Sequence, residues 1–148
     1  MAQVEVGALG ACRRGALRCL VVDDEPAMLG LLGAVLGAEG LVVVATTVGA
    51  GLVERVATSA PDVVVLDLGL SDADGLAQLG ALKAHPATRD VPVVVLSGRA
   101  RDEDLWAGWA AGADRYITKP FDSRELLGHV RSVARWADRA PGPASRRR

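Results

Sequence analysis

The sequence predicts an α/β fold, a small doubly wound parallel sheet of five βα units, and three observations predict it. From about Leu17 onward, short Val/Leu runs alternate with Ala/Leu/Gly-rich stretches of helical length, a βαβ rhythm. The runs Val63-Val64-Val65-Leu66 and Val93-Val94-Val95-Leu96 are continuously apolar instead of alternating, as strands buried on both faces are. Polar residues stand at the ends of the apolar runs: Asp23-Asp24 after Cys19-Leu20-Val21-Val22, Asp67 after 63–66, Ser97 after 93–96, and Lys119 after Tyr116-Ile117-Thr118. Open α/β sheets keep their chemistry at that end of the strands.

Residues 1–16 read as an irregular extension, because Gly7, Gly10 and Gly15 break any pattern. A strand near 17–22 leads to a helix over 26–38. Pro26 suits its first turn, Asp24 can cap it and Gly40 can end it. A strand near 41–46 and a helix over 49–59 follow, and Ser59-Ala60-Pro61-Asp62 breaks that helix before a strand near 62–67. Asp72 to Gly75 reads as a loop entering a helix over 74–85, closed by His85-Pro86. The remaining elements are a strand near 92–97, a helix over 102–111, a strand at 115–118 and a helix over 123–137. Asp122 or Ser123 can cap the last helix, with Glu125 near its positive end. The domain is thus 17–138, and 139–148 is a linker-like basic tail.

The bulk composition fits one domain with tails: 148 residues, 50% hydrophobic and 24% charged. A net charge of −1 gives no general pull towards nucleic acid or membrane. Cys12 and Cys19 have neither a disulfide pattern nor metal-ligand spacing. At the start, arginines follow the apolar stretch instead of preceding it, unlike a signal peptide, and no apolar run reaches membrane-spanning length. A cytoplasmic protein is expected. Arginine outnumbers lysine 15 to two, the lysines being Lys83 and Lys119. An ammonium and a guanidinium are not interchangeable beside a small anion. Lys119 is therefore either a required point charge or an ordinary surface residue.

In order along the chain, Val22-Asp23-Asp24-Glu25, Asp67 with Gly75 eight positions later, Ser97-Gly98, Gly112-Ala113-Asp114 and Tyr116-Ile117-Thr118-Lys119-Pro120-Phe121 resemble the receiver domain of two-component response regulators. Each piece is weak alone; the set is strong, with 30 residues from Asp67 to Ser97 and 22 from Ser97 to Lys119. The resemblance covers 17–138 and implies the flavodoxin-like strand order 2-1-3-4-5, counting strands from 17–22.

The resemblance also implies a chemistry. Asp67 is the phosphoacceptor, receiving a phosphoryl group from a sensor histidine kinase or a phosphotransfer protein. Mg²⁺ is ligated by Asp24, Asp67 and the Gly69 backbone carbonyl, with Asp23 acting through water. Three carboxylates at neighbouring strand ends would raise one another's pKa, a conflict that a hard divalent cation resolves. Lys119 and Ser97 meet the phosphoryl oxygens, and Tyr116 turns inward with the Ser97 hydroxyl, coupling the site to the surface of 102–111, 115–118 and 123–137. Lys119-Pro120 resembles the family's cis peptide bond. Such a chain is a regulatory phosphoacceptor and not an enzyme in the usual sense, although it assists its own phosphorylation and dephosphorylation. Ser71 departs from the usual proline, which bears on the loop 69–75 and not on the acceptor chemistry.

Other chemistries find no support. His85 and His129 lack partners at ligand spacing, and no nucleophile elbow, Walker loop or dinucleotide fingerprint is present. An aspartyl-nucleophile phosphatase would want a second carboxylate two residues after Asp67, where Gly69 stands. For the output, either the chain docks to a downstream protein, as a monomer or weak dimer, or it is the receiver part of a DNA-binding transcriptional regulator. No helix-turn-helix follows Trp136, so this chain itself is not expected to bind DNA. Arg101 and Glu125 match the charges with which winged-helix regulators dimerise, whereas Leu105, Arg115 and His129 depart from them. Leu105 and Trp109 share one side of the helix and form a candidate partner surface. Trp106 reads as packing, and Trp109 equally as packing or as an anchor.

Overall fold

The computed structural model describes residues 3–6, 16–47, 50–69, 74–98, 107 and 109–139, with the backbone alone for 3–6 and 135–139. The strands are β1 (Gln3–Val6), β2 (Arg18–Val22), β3 (Val42–Thr46), β4 (Val63–Asp67), β5 (Val93–Ser97) and β6 (Arg115–Thr118). The helices are α1 (Pro26–Ala38), α2 (Leu52–Ser59), α3 (Gly75–Ala84) and α4 (Ser123–Arg139). Of the helix expected over 102–111, positions 107, 109 and 110 are helical; Arg101, Leu105 and Trp106 lie outside the described residues, as does Ser71.

The sheet runs β1-β3-β2-β4-β5-β6. Its five parallel strands, β3-β2-β4-β5-β6, have the expected order 2-1-3-4-5. The sixth strand corrects the reading of 1–16 as irregular: β1 pairs antiparallel with β3, Gln3 opposite Thr46 and Val6 opposite Val43. Gln3-Val4-Glu5-Val6 alternates polar and apolar residues, the period of a half-covered edge strand, and the three glycines all fall after it.

Both faces of the five parallel strands are buried, and successive residues of these strands divide between the two faces. Val63 and Val65 pack with Leu29, Leu32 and Leu36 of α1 and Leu126, Val130 and Val133 of α4. Val64 and Leu66 pack on the opposite face with Leu52 and Val56 of α2 and Leu79 and Leu82 of α3. This two-sided burial is why β4 and β5 read as unbroken apolar runs. Cys19 belongs to the first cluster; burial, aided by the charge of Asp62, pushes its thiol up to about 12, so it is a packing residue.

Side chains close several helix ends. The Asp74 carboxylate accepts from the Leu76 N–H at 3.1 Å, and Asp122 accepts from the Arg124 N–H at 2.9 Å, which selects Asp122 over Ser123. The expectation that Asp24 caps α1 is corrected. Glu25 is the N-cap residue and makes no side-chain cap bond, while Asp23 Oδ1 accepts its N–H at 2.9 Å. Pro26 at the first position and Gly40 at φ +92° end α1 as its sequence requires.

Candidate functional site

Parallel strands end on a common rim, so each polar residue at a strand end reaches the same edge. The order reverses between β2 and β4, which pair side by side with Val22 opposite Leu66, so Asp23 and Asp67 follow on adjacent strands. Crevices at such a reversal are where open α/β sheets bind ligands. Asp67 pairs with Leu96 and Ser97 with Thr118, and the Lys119 N–H donates to the Ser97 carbonyl at 2.8 Å, fixing the ends of β5 and β6 together. The Lys119–Pro120 bond is cis, as the resemblance implied.

The charged atoms converge. Lys119 Nζ stands 3.5 Å from Asp23 Oδ2 and 3.4 Å from Asp67 Oδ2. This rules out the ordinary-surface reading of Lys119: it bridges two carboxylates that are almost fully buried, at 1% and 5% exposure. One carboxylate oxygen from each of Asp23, Asp24 and Asp67 lies within 4.8 Å of the other two. Asp67 Oδ1 accepts the Gly69 N–H at 3.0 Å, which orients its carboxylate and turns the chain after β4. Gly75 carries the close approach beyond that turn. A Cβ there would stand 2.6 Å from the Leu68 Cα and 2.8 Å from its carbonyl oxygen, so only glycine lets α3 begin against this loop.

Asp23 is the most perturbed of these acids. Burial raises its pKa most and the neighbouring Asp67 adds to the rise, opposed by the Glu25 N–H and by Lys119. Its Oδ2 is buried without a hydrogen bond, since the ammonium at 3.5 Å is at ion-pair and not hydrogen-bond range. A buried carboxylate oxygen without a donor, in a group of three acids facing one ammonium, fits a hard divalent cation with oxygen ligands.

Of the remaining expected positions, Ser97 stands at a strand end of this rim and Tyr116 is the second residue of β6. Ser97 is buried at the end of β5, and Tyr116 is half-buried on β6, packed against the cluster that α2 and α3 share. Trp109 is 47% exposed. Two features were not singled out from the sequence. Thr46, fully buried at the end of β3, accepts the Asp23 N–H through its carbonyl at 3.2 Å. Arg115 donates to the Asp114 carbonyl at 2.8 Å and to the Ser132 hydroxyl at 3.2 Å, tying β6 to α4. Only the first had a usable signal, a polar residue closing the apolar run Val42-Val43-Val44-Ala45.

Known proteins bear on this arrangement. The family model of the response regulator receiver domain matches residues 19–131. The transcriptional regulatory protein KdpE of Mycobacterium tuberculosis is 42% identical over 116 residues, covering 78% of this chain and 50% of that protein. The KDP operon regulator KdpE of Escherichia coli is 42% identical over 127 residues, covering 84% and 55%. This chain therefore spans about half the length of these relatives. Among solved structures, a CheY-like receiver domain protein from Methanospirillum hungatei superposes with a TM-score of 0.76 at 27% identity, covering 84% of this chain and 98% of that one. The receiver domain of a signal transduction histidine kinase from Syntrophus aciditrophicus gives 0.78 at 27% identity, covering 86% and 97%. The chain belongs to the response regulator receiver domain family, the regulatory signalling domain of two-component systems.

Proposed function

We propose that this chain is a phosphorylation-dependent switch in which Asp67 accepts a phosphoryl group from a sensor histidine kinase or phosphotransfer protein. The observation that carries the reading is the Lys119 ammonium held 3.4 Å from Asp67 Oδ2 on a rim with two further acids and a buried serine. The Asp67 carboxylate oxygen attacks phosphorus as the donor's bond to phosphorus breaks, giving an aspartyl phosphate that water later hydrolyses. Lys119, already on Asp67, offsets the charge that arrives, and the Ser97 hydroxyl donates to a second phosphoryl oxygen. Asp24, Asp67 and the Gly69 carbonyl would hold Mg²⁺, with Asp23 through water. When bound, the ion supplies charge neutralisation to the acids and to the phosphoryl oxygens.

The donor needs a surface beside this rim. Helix α1 starts directly after Asp24-Glu25, contains no charged residue, and exposes Ala27, Gly30, Leu31 and Ala34. That suits a helical donor protein approaching in the cytoplasm; no helix among the described residues is long and apolar enough to cross a membrane. Tyr116 on β6 would couple the site to a partner surface, and the exposure of Trp109 favours an anchor for a downstream partner over packing.

Incubation with Mg²⁺ and acetyl phosphate, followed by intact-mass measurement, should show one added phosphoryl group, absent in Asp67→Asn. An undiminished adduct in Asp67→Asn would rule out this acceptor. A second reading, the receiver part of a DNA-binding regulator, is favoured by the KdpE relatives, whose length is about twice the matched segment. Sequencing the natural reading frame past Arg148 decides between the two.

A further inference from the structure

We propose that Gln3–Val6 is a positioning strap for the acidic pocket: by completing the sheet edge it holds the end of β3, and through it Asp23, in cation-binding geometry. The inference rests on the phosphoacceptor reading only in assigning Mg²⁺ to the pocket. It starts from how the backbone groups of β3 are shared. Val42 donates to the Leu17 carbonyl at 2.8 Å, and the Thr46 carbonyl accepts the Asp23 N–H at 3.2 Å, both on the β2 side. Backbone groups alternate sides residue by residue, so those of Val43 and Ala45 point to the opposite edge. There the register sets Val6 against Val43 and Val4 against Ala45. Without β1 that edge is an open row of donors and acceptors, free to fray or to pair elsewhere.

The strap reaches the pocket in one step. Its Gln3 lies opposite Thr46, the residue that holds the Asp23 backbone. It also runs beside α1, which begins just after the turn that Asp23 Oδ1 closes on Glu25. Two backbone anchors of Asp23, Thr46 and Glu25, thus belong to elements that β1 borders. Its Oδ2 has no hydrogen bond to hold it, so movement of those anchors passes directly into its distances from Asp67 and Lys119.

The alternation supplies its own control. In Val4→Pro the lost N–H faces β3, whereas in Glu5→Pro it faces away, where an edge strand tolerates proline. Calorimetric titration of the full chain with MgCl₂ should show the Mg²⁺ Kd rising about threefold to tenfold in Val4→Pro, less than direct loss of a ligand-orienting partner causes. Amide exchange at Val43 and Ala45 should quicken, with the far-ultraviolet dichroism of a folded chain retained. Glu5→Pro should bind as the parent does. A purely structural strap would lower the melting temperature of Val4→Pro and leave its Kd unchanged, and that result overturns the proposal. Removal of residues 1–6 repeats the comparison if Val4→Pro does not fold. Absence of Mg²⁺ uptake by the intact chain would overturn the phosphoacceptor reading together with the strap, whereas parental affinity in Val4→Pro overturns the strap alone.

Discussion

The two rims of the sheet handle charge in opposite ways. At the rim where the parallel strands begin, the charged groups Lys83, Asp114 and Asp62 make short hydrogen bonds. Lys83 donates to Asp114 and to the Val91 carbonyl, each at 2.9 Å. Asp114 also accepts the Val93 N–H at 2.8 Å, and Asp62 accepts the Arg18 N–H at 2.8 Å. At the rim where the strands end, Lys119 stands 3.4 Å and 3.5 Å from two aspartates, and Asp23 Oδ2 has no hydrogen bond. The chain's two lysines therefore do different work. Lys83 fastens α3 to β5 and β6, and Lys119 offsets two buried carboxylates without saturating them. A satisfied network serves stability, and an under-satisfied one serves binding.

That contrast breaks most visibly at Asp114. Asp114→Ala removes the Lys83 partner and the Val93 acceptor together, and should cost about 2 kcal/mol in urea denaturation, a partly exposed pair falling below a fully buried one. Its Mg²⁺ affinity should match the parent's. If affinity fell and stability held, the division of labour between the rims would be wrong.

A glycine at each rim sharpens the same comparison. Gly75→Ala forces a Cβ onto the Leu68 backbone beside Asp67, and should cost about 1–3 kcal/mol by overpacking while also slowing phosphorylation by acetyl phosphate. Gly112→Ala meets the Lys83 side chain at 2.7 Å and holds φ at +109°. It should cost about 1–2 kcal/mol through its backbone, with the phosphorylation rate unchanged. Thermal unfolding and a timed mass assay separate the two.

Much of the candidate site was legible because its residues fall at strand ends, and parallel strands bring those ends to one rim whatever the intervening sequence. The helices and strands were legible from period and punctuation, as at Pro26, Gly40 and Pro61. Long-range partners carried no local mark. Lys83 and Asp114 are 31 residues apart, and nothing in either's neighbours announces the pair. The edge strand Gln3–Val6 is four residues long, too short for its alternation to outweigh the glycines that follow. Within Asp23-Asp24 the sequence could not say which side chain turns inward to close the turn before α1, because that is decided by Thr46 across the sheet.

The smallest effect tests the sign of the contrast. Because its buried charge faces Asp67, Asp23→Asn should stabilise the metal-free fold by about 1 kcal/mol, the opposite direction from Asp114→Ala, while weakening Mg²⁺ binding. The pH dependence follows from the raised pKa. Below the ordinary value of 3.8 both states of the protein hold the Asp23 proton, and the charge costs nothing. As pH rises above 3.8 the unfolded chain releases the proton first, so it binds fewer protons than the fold and stability declines until the raised native value is passed. The stability gap between Asp23→Asn and the parent should therefore open with rising pH from about 3.8 and level off above the native value. Urea midpoints in EDTA at a series of pH values measure it. Added Mg²⁺ should close the gap at neutral pH by stabilising the parent and not the variant. A gap that narrows as pH rises would mean that Asp23 is held as a favourable ion pair with Lys119, and the two rims would then be alike.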